Sequence, residues 1–500
     1  MSVISISSKD LEEIKPDALV IGLARKPNGT LVLEPGLARL SEKSLLASLT
    51  DLGATGRSDE VIKVPGANVK ILVVTGLGNY HARHAYSHET LRRAAGAAAR
   101  ELAGVKRALF SLPSGRSDQL VGVAEGSLLG AYTFDSFRSA SRKDRKSPLA
   151  EIVVQSDLAA TPAARSSQKR AQLLANAVHL VRDLVNTPPS HLTPISFCAK
   201  IKPLAVSAGL KVAILDEVAL RKGGYGGIVG VGQGSANPPR LLHLSYLAGR
   251  PKARFAYVGK GITFDTGGLN LKPGLGMDAM KSDMGGAAAV VAAAIVIAKL
   301  KLPIAIDVWA PLAENMVSDT AQRPSDIVSA YGGRTIEVLN PDAEGRLILA
   351  DALVRAQEVG KKADGLDALI DVATLTGHQG LALGARISAL MGNDDDLSKE
   401  ILAAAKDSGE DFWPMPLPVE LRASLDSPVA DIANIGDRFG GMLVAGLFLK
   451  EFVEEGVPWA HLDIASPAYN LGEPHGYTPV GGTGVAVRTL VRLAESACGL

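Results

Sequence analysis

Short apolar runs alternate with stretches of helical periodicity along most of the chain. In the first third, Leu19–Leu23, Val69–Leu77 and Ala108–Leu112 have the pattern of buried strands. The Ala-rich stretch His88–Leu102 between them repeats its apolar positions at helical spacing. After a small, polar, Pro-containing stretch, Ala159–Gln168, the spacing predicts a long helix over Arg170–Leu184, with Leu173, Leu174, Ala177, Leu180 and Val181 on one side. That helix gives way at Pro188-Pro189, which cannot continue it. Strands are then expected at Val212–Leu215, Leu241–Tyr246, Arg254–Val258, Ile304–Ala310, Thr335–Leu339 and Ala368–Ala373. Helices are expected at Pro194–Ala208 (with a kink at Pro203), Gly285–Leu300, Arg346–Val359, Met442–Glu455 and Val485–Glu495.

Strands that are continuous apolar runs with helices between them imply a mostly parallel sheet covered on both faces. The predicted fold class is α/β in two domains. A small N-terminal α/β domain takes residues 1–160, a linker and bridging helix 161–185, and a larger C-terminal α/β domain 186–500.

Composition sharpens this picture. The 500 residues are 47 % hydrophobic but only 4 % aromatic, with 52 glycines, which favours tight turns and close helix–sheet packing. A net charge of +1 makes no overall electrostatic case for nucleic acid or an anionic membrane. The basic stretch Arg138–Pro148 is best taken as a solvated loop, and it is the sole local support for a competing reading as a DNA-binding architectural protein. Two distant cysteines, Cys198 and Cys498, argue against a disulfide framework or a thiolate zinc site. The N-terminus has no signal-peptide pattern. The longest apolar run, Ala287–Leu300, falls short of the roughly 20 residues of a membrane span. The expected location is the cytoplasm.

Candidate chemistry gathers in two segments. Val258–Val290 carries Lys260, Asp265, Lys272, Met280 and Asp283 among glycines, and Asn340–Arg346 carries Asp342, Glu344 and Arg346. Four carboxylates beside apolar strand ends repel one another at neutral pH, so a divalent cation between them is the simplest balance. An oxygen-rich set suits Mg²⁺, Mn²⁺, Co²⁺ or Zn²⁺. A lysine near such a cluster has two uses: unprotonated it ligates, and protonated it stabilises an oxyanion. Taken singly each residue has an ordinary role, Asp283 as a helix cap and Lys260 as a solvated lysine, and only the joint pattern points to a metal site. By contrast His81, His84 and His88, with Arg83 among them, belong to a loop running into a helix.

These motifs, with Arg182-Asp-Leu-Val-Asn-Thr-Pro-Pro, Glu314-Asn-Met, Arg323-Pro, Asp342-Ala-Glu-Gly-Arg346, Ala373-Thr-Leu-Thr-Gly377, Arg438-Phe-Gly-Gly441 and His461-Leu-Asp-Ile-Ala465, resemble the leucine aminopeptidase (cytosol aminopeptidase) family of dinuclear metallopeptidases. The resemblance runs from about Arg182 to the end of the chain; the N-terminal part shares only length and α/β character. It implies removal of N-terminal, Leu-like or other apolar residues from peptides by a metal-bridging hydroxide. It implies two divalent ions per subunit, Mn²⁺ or Zn²⁺ with Mg²⁺ or Co²⁺ as alternatives, and a homohexamer. Asp265 and Glu344 would bridge the ions, Lys260 and Asp283 complete the tighter site, and Asp342 complete the more exchangeable one. Lys272 would polarise the scissile carbonyl, and Arg346 would hold a bicarbonate that shuttles the proton. Met280, Thr374 and Gly377 would line the pocket for the first side chain. Two departures stand out. Pro341 replaces the family's usual Thr and removes a main-chain N–H, and His378 stands where a small residue is commoner.

Overall fold

Each strand expected after Pro194 forms, the central ones because burial on both faces selects continuous apolar runs, while Lys211–Leu215 is an exposed edge strand. The computed structural model describes residues 2–500. It divides into two units, Met1–His179 with Leu471–Val480, and Leu180–Asn470 with Gly481–Leu500, the first division falling inside the helix Pro162–Asn186.

The first unit is a seven-stranded sheet of β1 (Val3–Ser7), β2 (Ala18–Arg25), β3 (Leu31–Glu34), β4 (Val61–Pro65), β5 (Ile71–Asn79), β6 (Arg107–Phe110) and β7 (Glu151–Gln155). Its order is β1-β7-β6-β2-β5-β4, with β3 paired to β2 and only β3 and β4 antiparallel. His84 pairs with the buried carboxylate of Glu34 and His88 starts the helix His88–Glu101. No metal-ligating trio forms around these histidines among the described residues. The basic stretch from Arg138 lies exposed, with a short 3₁₀ turn at Ala140–Asp144.

The helix expected from Arg170 begins earlier, at Pro162. Thr161 accepts from Ala164 N–H at 3.1 Å, and proline at the first helical position loses no bond the helix needs. Sequence polarity concealed this first turn, since small polar residues suit caps and loops alike.

The second unit is built on nine strands. They are β8 (Lys211–Leu215), β9 (Arg240–Leu247), β10 (Arg254–Gly259), β11 (Gly261–Asp265), β12 (Ala305–Asn315), β15 (Ala368–Ala373), β16 (Ser388–Gly392), β17 (Phe412–Pro414) and β19 (Trp459–Asp463). The order is β17-β16-β19-β15-β10-β12-β9-β8, with β11 continuing beside β12. The centre, β19-β15-β10-β12, is parallel, and the flanking pairs β16–β19, β12–β9 and β8–β9 are antiparallel. Three further strands, β13 (Asp326–Ser329), β14 (Thr335–Val338) and β18 (Ile432–Ala433), form a separate three-stranded sheet, and β20 (Tyr469–Asn470) and β21 (Gly481–Gly482) pair in a two-stranded one. The strand leading to Asp342 is therefore not a neighbour of β10 in the main sheet.

The helix Gly285–Leu300 is buried along almost its whole length. Its alanines and Gly286 allow close approach to the sheet: a Cβ on Gly286 would sit 2.0 Å from the carbonyl oxygen of Val372. Met277–Leu300 is long and apolar enough to cross a membrane by composition, but 89 % of its apolar window is buried inside the protein. At its other end the unit opens the helix Pro194–Ser207 with a reciprocal Thr193–Ser196 capping box, and Pro203 is accommodated within that helix.

Candidate metal centre

Because β10, β12, β15 and β19 are parallel, their carboxyl ends share one edge, where ligands of open α/β sheets collect. Lys260 follows β10, Asp265 ends β11, Asn315 ends β12, Thr374 follows β15 and Asp463 ends β19. Asp283 lies between the short 3₁₀ turn Met277–Ser282 and the helix Gly285–Leu300. Glu344 caps the helix Gly345–Lys361, to which Arg346 belongs.

Of the seven residues read as metal ligands or catalytic groups, six fall into one cluster of contacts, and Arg346 stands beside it two positions after Glu344. Lys260 Nζ is 2.8 Å from Asp283 Oδ1 and 2.8 Å from Glu344 Oε1, and donates to the Thr374 carbonyl at 2.8 Å. Lys272 Nζ is 2.9 Å from Asp265 Oδ2 and 2.5 Å from Asp342 Oδ1. Carboxylate oxygens of Asp265, Asp342 and Glu344 lie within 4.8 Å of one another. Arg346 donates to the Asn434 carbonyl at 2.8 Å, and its Nε is buried with no hydrogen-bond partner among the described residues.

Burial is the largest single influence on each charged group described next. It raises the pKa of Asp265, Asp283 and Asp342, and for Asp265 the neighbouring Glu344 charge adds to the effect. For Lys260, burial pulls the pKa down, but Asp283, Glu344 and Asp265 more than reverse it. Lys272 is likewise raised, burial being outweighed by Asp265, Glu344, Asp342 and Asp283. Burial lowers Arg346 to about 10.

The residues fit a pair of cations. Four carboxylates face two ammonium groups, leaving negative charge in a site where Asp265, Asp283 and Glu344 are all at most 5 % exposed. Asp283 Oδ2 is buried without a hydrogen-bond partner. Glu344 Oε1 and Asp342 Oδ1 lie at ion-pair distance from a lysine but out of line for a hydrogen bond, so they too keep lone pairs for another positive group. An all-oxygen set with one amine suits hard or borderline divalent ions.

Pro341 leaves this arrangement intact because the loop is held through other atoms. Asn315 Nδ2 donates to Asp265 Oδ1 at 2.8 Å and to the Pro341 carbonyl at 3.1 Å, and Asn340 Oδ1 accepts from Asp342 N–H at 2.8 Å. Of the three residues read as lining the first-residue pocket, Met280 is half-buried and Gly377 exposed. The third, Thr374, is buried and donates its hydroxyl to Asp283 Oδ1 at 2.7 Å. A cavity of about 650 Å³ opens beside the cluster, its walls including Asp342, Arg346, Gly377, His378 and Asp437.

Sequence reasoning gave no role to several polar residues that the fold brings here. Asp463 accepts from Leu375 N–H at 3.0 Å and Thr376 Oγ1 at 2.8 Å, holding the loop that rims the cavity. His461 Nδ1 lies 2.5 Å from Asp371 Oδ1, whose other oxygen accepts from Trp459 Nε1 at 2.8 Å. Their signal was visible as charged residues inside the apolar strands Ala368–Ala373 and Trp459–Asp463. Buried polar groups need partners, so such residues mark a network.

Residues 179–491 match the model of the cytosol aminopeptidase family, catalytic domain. This chain belongs to the cytosol aminopeptidase family. It is a metal-dependent aminopeptidase, a hydrolase of peptides. The N-terminal domain of the same family matches residues 30–141, extending the relationship beyond the segment legible from motifs. A "Probable cytosol aminopeptidase" of Streptomyces avermitilis is 50 % identical, the alignment covering 99 % of this chain and 98 % of the relative. One of Nocardia farcinica is also 50 % identical, over 96 % of this chain and 94 % of the relative. Among solved structures, the bottromycin maturation enzyme BotP in complex with Mn superposes with a TM-score of 0.85 at 39 % identity, covering 97 % of this chain and 100 % of that one.

Proposed function

We propose that this aminopeptidase removes Leu-like or other apolar N-terminal residues from peptides with two divalent ions held by Lys260, Asp265, Asp283, Asp342 and Glu344. The observation that carries the reading is the convergence of the Asp265, Asp342 and Glu344 oxygens within 4.8 Å, with Lys260 and Asp283 completing one side. Asp265 and Glu344 would serve both ions. Lys260 and Asp283 complete the tighter position, and Asp342, the most exposed of the carboxylates, completes the exchangeable one. Mn²⁺ or Zn²⁺ is the expected pair, with Mg²⁺ or Co²⁺ as alternatives; the Mn²⁺ complex of the BotP relative favours the first. Such ions, when bound, make a shared water nucleophilic near neutral pH and polarise the scissile carbonyl.

The chain's own groups do the rest. Lys260 would hold a cation as a neutral amine, its proton released to solvent, since the cation would take over the charge that its ammonium now balances. Lys272 stays protonated, leaves its carboxylates for the carbonyl oxygen and stabilises the oxyanion as it develops. Arg346, with a buried Nε free to donate, would hold a bicarbonate, which would supply a proton relay towards the leaving amine. Met280, Thr374 and Gly377 surround the first side chain, Thr374 also steadying Asp283. His378 stands on the cavity wall and biases which peptides fit. Residues 1–160 form an accessory domain, joined through 161–185 to the catalytic domain 186–500; the assembly is a cytoplasmic homohexamer.

The test is turnover of Leu-, Met- and Ala-anilides by the full chain loaded with Mn²⁺ or Zn²⁺, with metal content measured per subunit. Asp265→Ala and Glu344→Ala are expected to lose both turnover and metal. A folded, metal-loaded wild type without turnover overturns the proposal.

A further inference from the structure

Asn434 is completely buried and immediately follows the strand Ile432–Ala433. That strand pairs in parallel with Thr335–Val338, and Asn434 N–H extends the ladder to the Glu337 carbonyl at 2.9 Å. The backbone of Asn434 is therefore anchored independently of its side chain.

The side chain spends all its hydrogen-bonding capacity on one loop. Oδ1 accepts from Leu339 N–H at 2.8 Å and from Asn340 N–H at 3.1 Å. Nδ2 donates to the Asn340 carbonyl at 2.7 Å and, at 3.4 Å, to the Ala343 carbonyl. One amide thus ties the start of the loop to its end, with Pro341 and Asp342 between the tied points. The Asn434 carbonyl meanwhile accepts from Arg346 Nη1 at 2.8 Å. With proline at 341, the loop has no N–H of its own there, which increases its dependence on side-chain donors.

Only an amide fits these demands. It presents acceptor and donor branches to backbone groups of opposite kind. A carboxylate would keep the accepting branch and set an oxygen against two carbonyls, whereas alanine would leave four backbone groups of the loop without this partner.

We propose that Asn434 is a positioning residue whose side chain sets the affinity of the metal position completed by Asp342. The proposal rests on the dinuclear reading above. Asn434 touches neither metal ligand side chains nor substrate, and it acts through the loop. Lys260 and Asp283 hang from β10, the Thr374 loop and the 3₁₀ turn before Gly285, and of the two only Lys260 meets the end of this loop, through its ion pair with Glu344.

The experiment is an Mn²⁺ titration of the full-length wild type, Asn434→Ala and Asn434→Asp, by calorimetry or equilibrium dialysis, together with kcat and KM on a Leu-anilide at saturating Mn²⁺. The wild type should show two binding classes. In both variants the weaker class should lose about 10- to 100-fold in affinity, the scale for groups that orient ligands, while the tighter class is retained. The kcat should fall more than KM changes. Asn434→Asp keeps the accepted bonds, so it carries the test if the alanine variant does not fold. Unchanged binding and kcat in the variants overturn the inference, as does equal weakening of both classes, which marks a general loss of structure. A wild type that binds no Mn²⁺ instead refutes the dinuclear reading itself.

Discussion

Gly345→Ala offers a steric test of the site. Gly345 opens the helix between Glu344 and Arg346, and a Cβ there would stand 2.5 Å from Cε, 2.7 Å from Cδ and 2.8 Å from Nζ of Lys260. Ordinary contact starts near 3.4 Å, so the end of the lysine must retreat by about 0.9 Å. A free lysine would do so at little cost. This one is 3 % exposed and held at 2.8 Å by Thr374, Asp283 and Glu344. Hydrogen bonds to charged groups contribute about 1.5–3 kcal/mol each, so loosening one or two costs roughly 2–5 kcal/mol. Alanine returns at most about 1 kcal/mol as a better helix former. The steric term wins. A ligand displaced by nearly 1 Å lowers the rate by about 10²-fold. The assay is kcat on a Leu-anilide with Mn²⁺ content measured on the same sample. Gly285→Ala is the control, because a Cβ there meets nothing closer than 3.4 Å. Wild-type turnover and metal content in Gly345→Ala would refute the placement of Lys260 in the site.

Lys272→Ala should retain its metal and lose about 10²–10³ in rate, the scale of removing an oxyanion donor; full activity would remove Lys272 from the mechanism. Away from the site, Glu358 accepts from Lys362, Tyr331 and Arg355, with Lys362 the largest influence, and its pKa is depressed from 4.5 to about 2. A depressed carboxylate adds stability above its unfolded pKa and loses it as pH falls towards the folded value. Its side chain is 37 % exposed, so solvent screening limits the gain to about 1 kcal/mol or less. Thermal midpoints of wild type and Glu358→Gln should therefore differ near neutral pH and converge as pH falls from about 4.5 to 2. A pH-independent gap would show that the stabilisation is not ionic.

Much of the second unit was legible because its strands and helices are specified locally. The apolar run Arg254–Gly259 and the Ala-rich Gly285–Leu300 declare their state through their own periodicity and burial demand. The ligand candidates were legible too, as carboxylates and lysines crowded among glycines at strand ends. The N-terminal third has no comparable chemical signature, so its kinship emerged only from matching the whole domain.

The sequence by itself determined the α/β alternation, the strand-end positions and the inventory of charged groups, since each depends on neighbours a few residues apart. Tertiary structure decided the placement of Thr335–Val338 in a small separate sheet, the antiparallel flanks of the main sheet, and the bonding of Asn315, Asn434 and Asp463. Strand order is a choice among many apolar runs of similar pattern, and a buried amide is identified only by partners remote in sequence. Those partners are selected by the cost of leaving any polar group unpaired after the whole chain has folded around it.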